Sequence, residues 1–317
     1  MASGPRQLTL SFCQARPEPG RAGGAALDRR GQTEFVEMTC RSVLNWVQGT
    51  RMSDFYSANP YRGCQFGCLY CYARYTHEYL GLGGQGPEGF ERRVFVKVNA
   101  AEVFAHDLKR APHLEAGVHL GSATDPYQPA EARFGLTRKM LEKLLPLRGL
   151  SLTLATKSVL AERDADLLAE LSRRHALKVV MTCVTLDPRL QRELEPHAPP
   201  TERRLSALAR LSERGVKVGM LLAPVMPGLN DGEDELLALC RRAKQAGAET
   251  LISQVLFLPE ASKKAFLPWL QAKEPALHAR YLQAFRGGRQ LRGPLREAVD
   301  ARLARVRAAA GLGSTAD

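Results

Sequence analysis

Several shortages in the sequence each close off a class of protein. No stretch approaches the roughly 18–20 consecutive apolar residues that cross a bilayer. Met1 to Gly20 lack the continuous apolar run of a secretion signal. Acidic residues are in deficit, 33 Asp+Glu against 45 Lys+Arg, so the formal net charge is +12. Cysteine is sparse and odd in number, seven in 317 residues, which argues against a secreted disulfide framework. No repeat recurs at a fixed period of about 20–50 residues. Together these absences predict a soluble protein of a reducing compartment, the cytoplasm, with no membrane partner. What is present is ordinary globular composition, 44% apolar and 25% charged residues, in a length that suits one large domain or two small ones.

The positive charge is uneven. Residues 261–317 carry 11 Lys/Arg against 4 Asp/Glu, and residues 1–33 carry 5 Arg against 2 acids. Basic ends are a signature of nucleic acid, anionic membrane or phosphorylated partners. A compositional bias of the whole proteome explains them equally well. Residues 1–41 are rich in Gly, Ala, Arg and Pro and predict a largely irregular arm. Residues 34–50 predict a short helix or turn anchored by Val43, Leu44, Trp46 and Val47, and residues 261–317 a basic helical extension without a strand.

Between the ends, short apolar runs alternate with helical periodicity. Phe55–Tyr61, Val118–Ser122, Ser151–Ala155, Val179–Val184, Val216–Ala223 and Thr250–Leu256 are six strand candidates. Helices lie between them, with Asn99, Thr137 and Asp231 as expected caps. The alternation predicts an α/β fold with a parallel sheet, open or closed, over residues 42–260. Ligands of such sheets sit at the carboxyl ends of the strands, where the unusual residues of this chain cluster.

The strongest signal is Cys64, Cys68 and Cys71, spaced C-x3-C-x2-C within Asn59-Pro-Tyr-Arg-Gly-Cys-Gln-Phe-Gly-Cys-Leu-Tyr-Cys-Tyr-Ala-Arg74. A helix would splay three thiols around its axis, so the segment must be a loop, with Gly63 and Gly67 supplying permissive backbone. Three readings compete. A structural zinc needs four closed ligands, and His77 is the only near candidate for the fourth. A cysteine nucleophile needs one thiol. An iron–sulfur cluster held by three thiolates keeps one iron open for another ligand.

That spacing, with an aromatic residue before the last cysteine, resembles the radical S-adenosylmethionine (SAM) superfamily. The run Asn59 to Gly81 resembles its spore photoproduct lyase-like branch, often filed with DNA repair photolyases. So do Gly121-Ser-Ala-Thr-Asp-Pro-Tyr-Gln-Pro129, Thr156-Lys-Ser158, Thr185-Leu-Asp187, Glu195-Pro196 and Ala223-Pro-Val-Met-Pro-Gly-Leu-Asn-Asp231. The resemblance implies a partial (βα)6 TIM-like barrel. It implies a 4Fe-4S cluster on Cys64, Cys68 and Cys71 whose open iron chelates SAM. The cluster then cleaves SAM reductively to a 5′-deoxyadenosyl radical, fed by a reductant such as flavodoxin or ferredoxin. It places Tyr70 beside the adenine and gives Thr124, Lys157 and Thr182 as SAM contacts. Tyr72 and Asp125 are the catalytic candidates, Tyr72 in radical transfer and Asp125 in ordering the second strand's end or contacting SAM. A lysine, small hydroxyls and an acid complement SAM's carboxylate, ribose and cation. Read without the cysteine loop, Asp125-Pro126 is a tight turn, Lys157 a surface charge and Thr182 a β-former.

The match fails at one position. The lyase carries a hydrogen-donor cysteine where this chain has Ser122, and a serine O–H bond is too strong to give up a hydrogen atom in the same way. Spore-type dimer reversal is therefore not expected. Cys183 is expected to face the helices, Cys240 falls on an apolar helix stripe, and Cys13 and Cys40 lie in or beside the arm. Gly81-Leu-Gly-Gly-Gln-Gly86 links no strand to a helix and reads as a flexible loop. Radical chemistry on nucleic acid, radical modification of a protein or small metabolite, and a non-enzymatic metal module all remain open. No basic strip interleaved with aromatics supports base stacking.

Overall fold

A computed structural model describes residues 26–30, 33–48, 54–81 and 89–313. The first 25 residues of the arm, Cys13, and residues 82–88 of the glycine loop lie outside them. The amino-terminal part contains β1 (Ala26–Arg30), β2 (Thr33–Met38), β3 (Leu44–Val47), β4 (Phe55–Ala58) and β5 (Tyr61–Arg62). The cysteine loop and a 3-10 helix (Tyr72–Leu80) follow, then α1 (Gly89–Arg92), β6 (Arg93–Lys97), α2 (Ala100–Leu108), β7 (Val118–Leu120), α3 (Glu131–Phe134) and α4 (Leu136–Glu142). The remainder alternates β8 (Ser151–Thr156), α5 (Ala165–Arg174), β9 (Ala176–Thr182), α6 (Pro188–Leu194), α7 (Thr201–Glu213), β10 (Lys217–Val225), α8 (Glu233–Gln245) and β11 (Thr250–Val255). Three helices end the chain: α9 (Glu260–Lys273), α10 (Pro275–Ala284) and α11 (Pro294–Ala310).

All six expected strands are present, and they lie side by side. The main sheet runs β11-β10-β9-β8-β7-β4-β3, parallel throughout except for the antiparallel edge strand β3. Six parallel strands with helices between them form the partial barrel that the sequence resemblance implies. Strand interiors such as Leu177, Val179, Val180 and Met181 are buried on both faces, as parallel strands covered by helices must be. Gly121 turns the chain at the end of β7 with φ +94°, and a Cβ there would clash with the Ala155 carbonyl oxygen.

The ends of the chain depart from expectation. Residues 26–30 and 33–38, placed in an irregular arm, form β1 and β2, and residues 44–47, read as a helix or turn, form β3. β1 and β2 join β6 and β5 in a second sheet, where β2 runs parallel to β6. Phe35 packs into one apolar cluster with Tyr61 and Val94, and Val36 and Met38 into another with Phe95, so β2 is covered on both sides. The extension is helical as expected, but it is built into the barrel. Val299, Leu303 and Val306 of α11 are buried in the main core, and Gly313 exchanges backbone hydrogen bonds with Glu249 and Leu251 beside β11.

Three expected caps serve other partners. Asn99 gives and takes hydrogen bonds with the Cys40 backbone, at 2.9 and 3.0 Å. The Thr137 hydroxyl donates to the Pro126 carbonyl at 2.5 Å. Asp231 accepts from the Gly228 N–H at 2.7 Å and pairs with Arg302, while Gly232 precedes α8. In each case a side chain able to cap a helix is taken by a tertiary contact, as short polar side chains often are.

Candidate active site

The cysteine loop leaves β5 and crosses the carboxyl end of the sheet. Gly63 has φ +89°, and a Cβ there would lie 2.7 Å from the Arg93 carbonyl oxygen and 2.8 Å from that of Phe90, so only glycine fits. Cys64 and Cys68 are buried, Cys71 is partly so, and all three thiols are free of disulfides. Each thiol feels at least one of the others electrostatically. Among the described residues, no three His, Cys, Asp or Glu side chains form a group that would hold a single metal ion.

Two buried charge pairs hold the loop from opposite sides. Arg74 donates to the Cys68 carbonyl at 3.0 and 3.2 Å and to the Gly67 carbonyl at 3.1 Å, and its third nitrogen meets Glu91 at 2.8 Å. Across the loop, Arg204 and Glu195 are both fully buried and meet at 2.5 Å. Glu195 also accepts the Tyr70 hydroxyl, and Arg204 donates to the Thr182 carbonyl at 2.9 Å and the Pro199 carbonyl at 2.7 Å. The backbone follows the same path, with Leu69 N–H donating to Leu194 and His197 N–H to Phe66.

Lys157 completes this corner. Its ammonium lies 5.7 Å from the centre of the Tyr70 ring. Burial disfavours its charged form, but Cys68 and Glu195 more than offset that and raise its pKa. Burial likewise pushes the Cys68 thiol up to about 12, with Lys157 pulling it back. Burial raises Cys64 well above its usual range, helped by Asp125, and raises Cys71 against the pull of Arg74 and Lys157. The structure thus brings Tyr70, Lys157 and the Thr182 strand end together around Cys68.

Thr124 and Asp125 sit on the same rim, and both are occupied by the protein. The Thr124 hydroxyl donates to the Gly63 carbonyl at 2.6 Å and accepts from Gln128 at 2.9 Å. Gln128 also donates to Gly63 at 3.0 Å and accepts the Gln65 N–H at 3.0 Å. Asp125 accepts the Thr156 hydroxyl at 2.7 Å, the Lys157 N–H at 2.7 Å and the Tyr127 N–H at 2.9 Å, tying the ends of β7 and β8. Tyr72 donates its hydroxyl to the Ser122 carbonyl, and its ring meets Phe257 at 6.4 Å.

Ser122 shares a hydroxyl pair with Ser57, and Asn59 donates to both, at 2.9 Å to Ser57 and 3.2 Å to Ser122. No thiol stands in this network. Cys183 and Cys240 are fully buried in the core, and the Cys40 thiol contacts Asn99 Oδ1 at 3.3 Å.

Sequence reasoning passed over Arg74, Glu91, Gln128, Glu195 and Arg204 as functional residues. Arg74, Gln128 and Glu195 stand there only within motifs. Arg204 left a readable trace, because with Leu208 and Leu211 it falls at i, i+4 and i+7 on the buried face of α7.

Comparison with known proteins places this geometry. Residues 58–240 match the Radical SAM superfamily. An uncharacterized protein of Mycobacterium tuberculosis is 35% identical over 271 residues, 85% of this chain and 79% of that protein. A protein of Pseudomonas phage M6 named radical SAM Nalpha-GlyT isomerase is 25% identical over 242 residues, 75% of this chain and 46% of its own. Among solved structures, a spore photoproduct lyase mutant with bound AdoMet and dinucleoside spore photoproduct has the same fold. Its TM-score is 0.59 at 18% identity, covering 82% of this chain and 75% of that one. Among the described residues no helix is long and apolar enough to cross a membrane. The chain belongs to the radical SAM superfamily, whose enzymes cleave SAM to a radical with an iron–sulfur cluster and an electron donor.

Proposed function

We propose that Cys64, Cys68 and Cys71 hold a 4Fe-4S cluster with one iron left for SAM, and that the enzyme abstracts hydrogen from a nucleic acid substrate. The observation that carries the cluster assignment is three thiols, free of disulfides, on one short loop at the carboxyl end of the sheet. When bound, cluster and SAM supply the reducing electron and the 5′-deoxyadenosyl radical. The chain's own residues orient the parts. Lys157 presents a cation to the SAM carboxylate, Tyr70 lines the adenine side, and Thr182 offers a hydroxyl at the end of β9. Thr124 and Asp125 act one step back, holding the loop and the strand ends. Tyr72 spans from the loop to Ser122 and borders the space a substrate would enter. The reductant is a small electron carrier such as flavodoxin or ferredoxin.

Two observations support the substrate class. The fold is shared with a lyase solved with a dinucleoside photoproduct, and the chain concentrates its excess positive charge in residues 1–33 and 261–317. The serine pair Ser57–Ser122, at the position of the lyase's donor thiol, argues against dimer reversal of the spore type. Anaerobic reconstitution with iron and sulfide tests the reading. A four-iron spectrum that changes on adding SAM, 5′-deoxyadenosine formed with dithionite, and loss of both in Cys68→Ala are expected. A spectrum indifferent to SAM, or a Cys68→Ala protein that keeps its cluster, sinks the assignment.

A further inference from the structure

The basic tail is not uniformly available. On α11, Arg302 pairs with Asp231, Arg305 with Glu233 at 2.7 Å and Arg296 with Asp300 at 2.6 Å, while Arg307 donates to the Ser253 hydroxyl. Lys263 and Lys273 meet Glu260 and Glu193, each at 2.6 Å. The connection between α10 and α11 differs. It reads Arg286-Gly-Gly-Arg-Gln-Leu-Arg292, and Arg286, Arg289 and Arg292 are all exposed with no acidic partner among the described residues.

This segment is anchored. Phe285 and Leu291 are buried at its two ends. The Leu258 N–H donates to the Arg289 carbonyl at 2.8 Å, and Phe257 pairs with Gln290 as an antiparallel bridge. Phe257 comes just after β11, so the strap lies along the carboxyl end of the barrel. The Arg289 guanidinium sits 5.8 Å from the centre of the Phe257 ring, which also meets, at 6.4 Å, the ring of Tyr72 just after Cys71. Ser262, four residues past Leu258, donates to the Cys71 carbonyl at 2.7 Å and ties α9 to the same loop. A Cβ placed on Gly287 or Gly288 would meet nothing within 4 Å, so the backbone between the arginines is open to a ligand.

We propose that this arginine strap is the phosphate-binding edge of the active site, gripping the phosphodiester backbone beside the nucleotide that enters the barrel. The inference rests on the nucleic acid reading above. Guanidinium forks match phosphate oxygens in pairs, and a guanidinium stacked on a ring keeps its edge N–H groups for such contacts. Cations already matched by carboxylates gain less from a phosphate, so the strap rather than α11 should carry the salt-dependent part of binding.

Fluorescence anisotropy with a labelled single-stranded DNA of about 20 nucleotides tests this, across about 50 to 200 mM salt. The variant is Arg286→Gln, Arg289→Gln and Arg292→Gln combined. Its control removes the same charge from tail cations already paired with carboxylates, through Lys273→Gln, Arg296→Gln and Arg305→Gln. Three lost phosphate contacts should flatten the log–log salt slope by about 2, at about 0.7 for each on a single strand. Binding at about 50 mM salt should weaken about tenfold or more, with the control within about twofold of wild type. Equal weakening in variant and control, or an unchanged slope, overturns the strap while leaving the nucleic acid reading standing. A wild-type protein that binds no oligonucleotide at low salt overturns that reading and the strap with it. Reconstituted cluster and SAM cleavage report separately on the radical chemistry.

Discussion

Replacing Glu195 with glutamine removes one charge from a pair that is entirely enclosed. Glu195 and Arg204 have 0% side-chain exposure, and the guanidinium's remaining donors go to the Thr182 and Pro199 carbonyls. The substituted amide would keep the shape and leave Arg204 charged in a site that offers it no water. Breaking one side of such a pair costs about 3–5 kcal/mol, against the roughly 5–15 kcal/mol that holds a domain together. Arg204→Met should cost a comparable amount, since it strands the carboxylate that Arg204 and Lys157 hold below its usual range despite burial. The double variant removes both charges and should recover a large part, because an apolar replacement for a buried pair is often near neutral. Urea unfolding followed by far-UV circular dichroism on all four proteins gives the cycle. We expect a coupling of at least about 2 kcal/mol. A Glu195→Gln cost under about 1 kcal/mol, or additive single variants, would refute the joint. Because Tyr70 hangs from the same carboxylate, Glu195→Gln should also lose iron to a chelator faster than wild type.

His77 makes stability depend on acid. Its Nε2–H donates to the Arg93 carbonyl at 2.9 Å, its Nδ1 is buried without a partner, and burial lowers its pKa to about 4. The unfolded chain takes up the proton first, so stability should fall as pH drops through about 6.5 toward 4, by about 1.4 kcal/mol at about pH 5.5. His119, lowered by burial to about 4, adds a fall of the same sign, so His77→Gln should remove only its own share. A His77→Gln stability profile parallel to that of wild type contradicts this. Gly63→Ala should cost about 1–3 kcal/mol and impair iron loading, because a side chain at φ +89° must displace two carbonyls; an unchanged melting temperature would be inconsistent with the loop geometry. Lys157→Met should keep the cluster but weaken SAM binding about tenfold or more, the worth of a charged hydrogen bond, read from the SAM-induced change in the reduced cluster's paramagnetic resonance. Undiminished SAM affinity would remove Lys157 from the site.

What the sequence discloses and what it withholds follow the range of the interactions. The parallel strands are legible because runs such as Leu152–Ala155 or Val179–Met181 are locally apolar and end in turn residues. The cysteine loop is legible because its three cysteines lie within eight residues of one another. The second sheet is not, since β2 pairs with β6 across Glu34–Arg93, residues 59 positions apart, and β2 carries glutamates in a run with no turn signal of its own. The caps failed for the same reason, because Asn99 is drawn to Cys40, 59 positions away. At the site, Thr124 and Lys157 were legible as residue types suited to SAM. Their division of labour was not, since only the fold shows the Thr124 hydroxyl spent on Gly63 and the Lys157 ammonium left toward Cys68.

That division can be argued from charge. Three buried or half-buried cations surround the cysteine loop: Arg74, Arg204 and Lys157. Arg74 is matched by Glu91 and Arg204 by Glu195, each in direct contact. Asp125 stands beside Lys157 on the rim, but its carboxylate accepts the Lys157 backbone N–H, the Thr156 hydroxyl and the Tyr127 N–H. The Lys157 ammonium makes no ion pair among the described residues. Half-buried Lys157 is favoured in its charged form across space, by Cys68 and Glu195, rather than by a direct partner. In the proposed reading, thiolates on iron and the carboxylate of SAM would add negative charge on the side of Lys157 where Cys68 lies. The two matched pairs therefore hold the loop by direct contact, while Lys157 is the cation that the proposed reading offers to SAM.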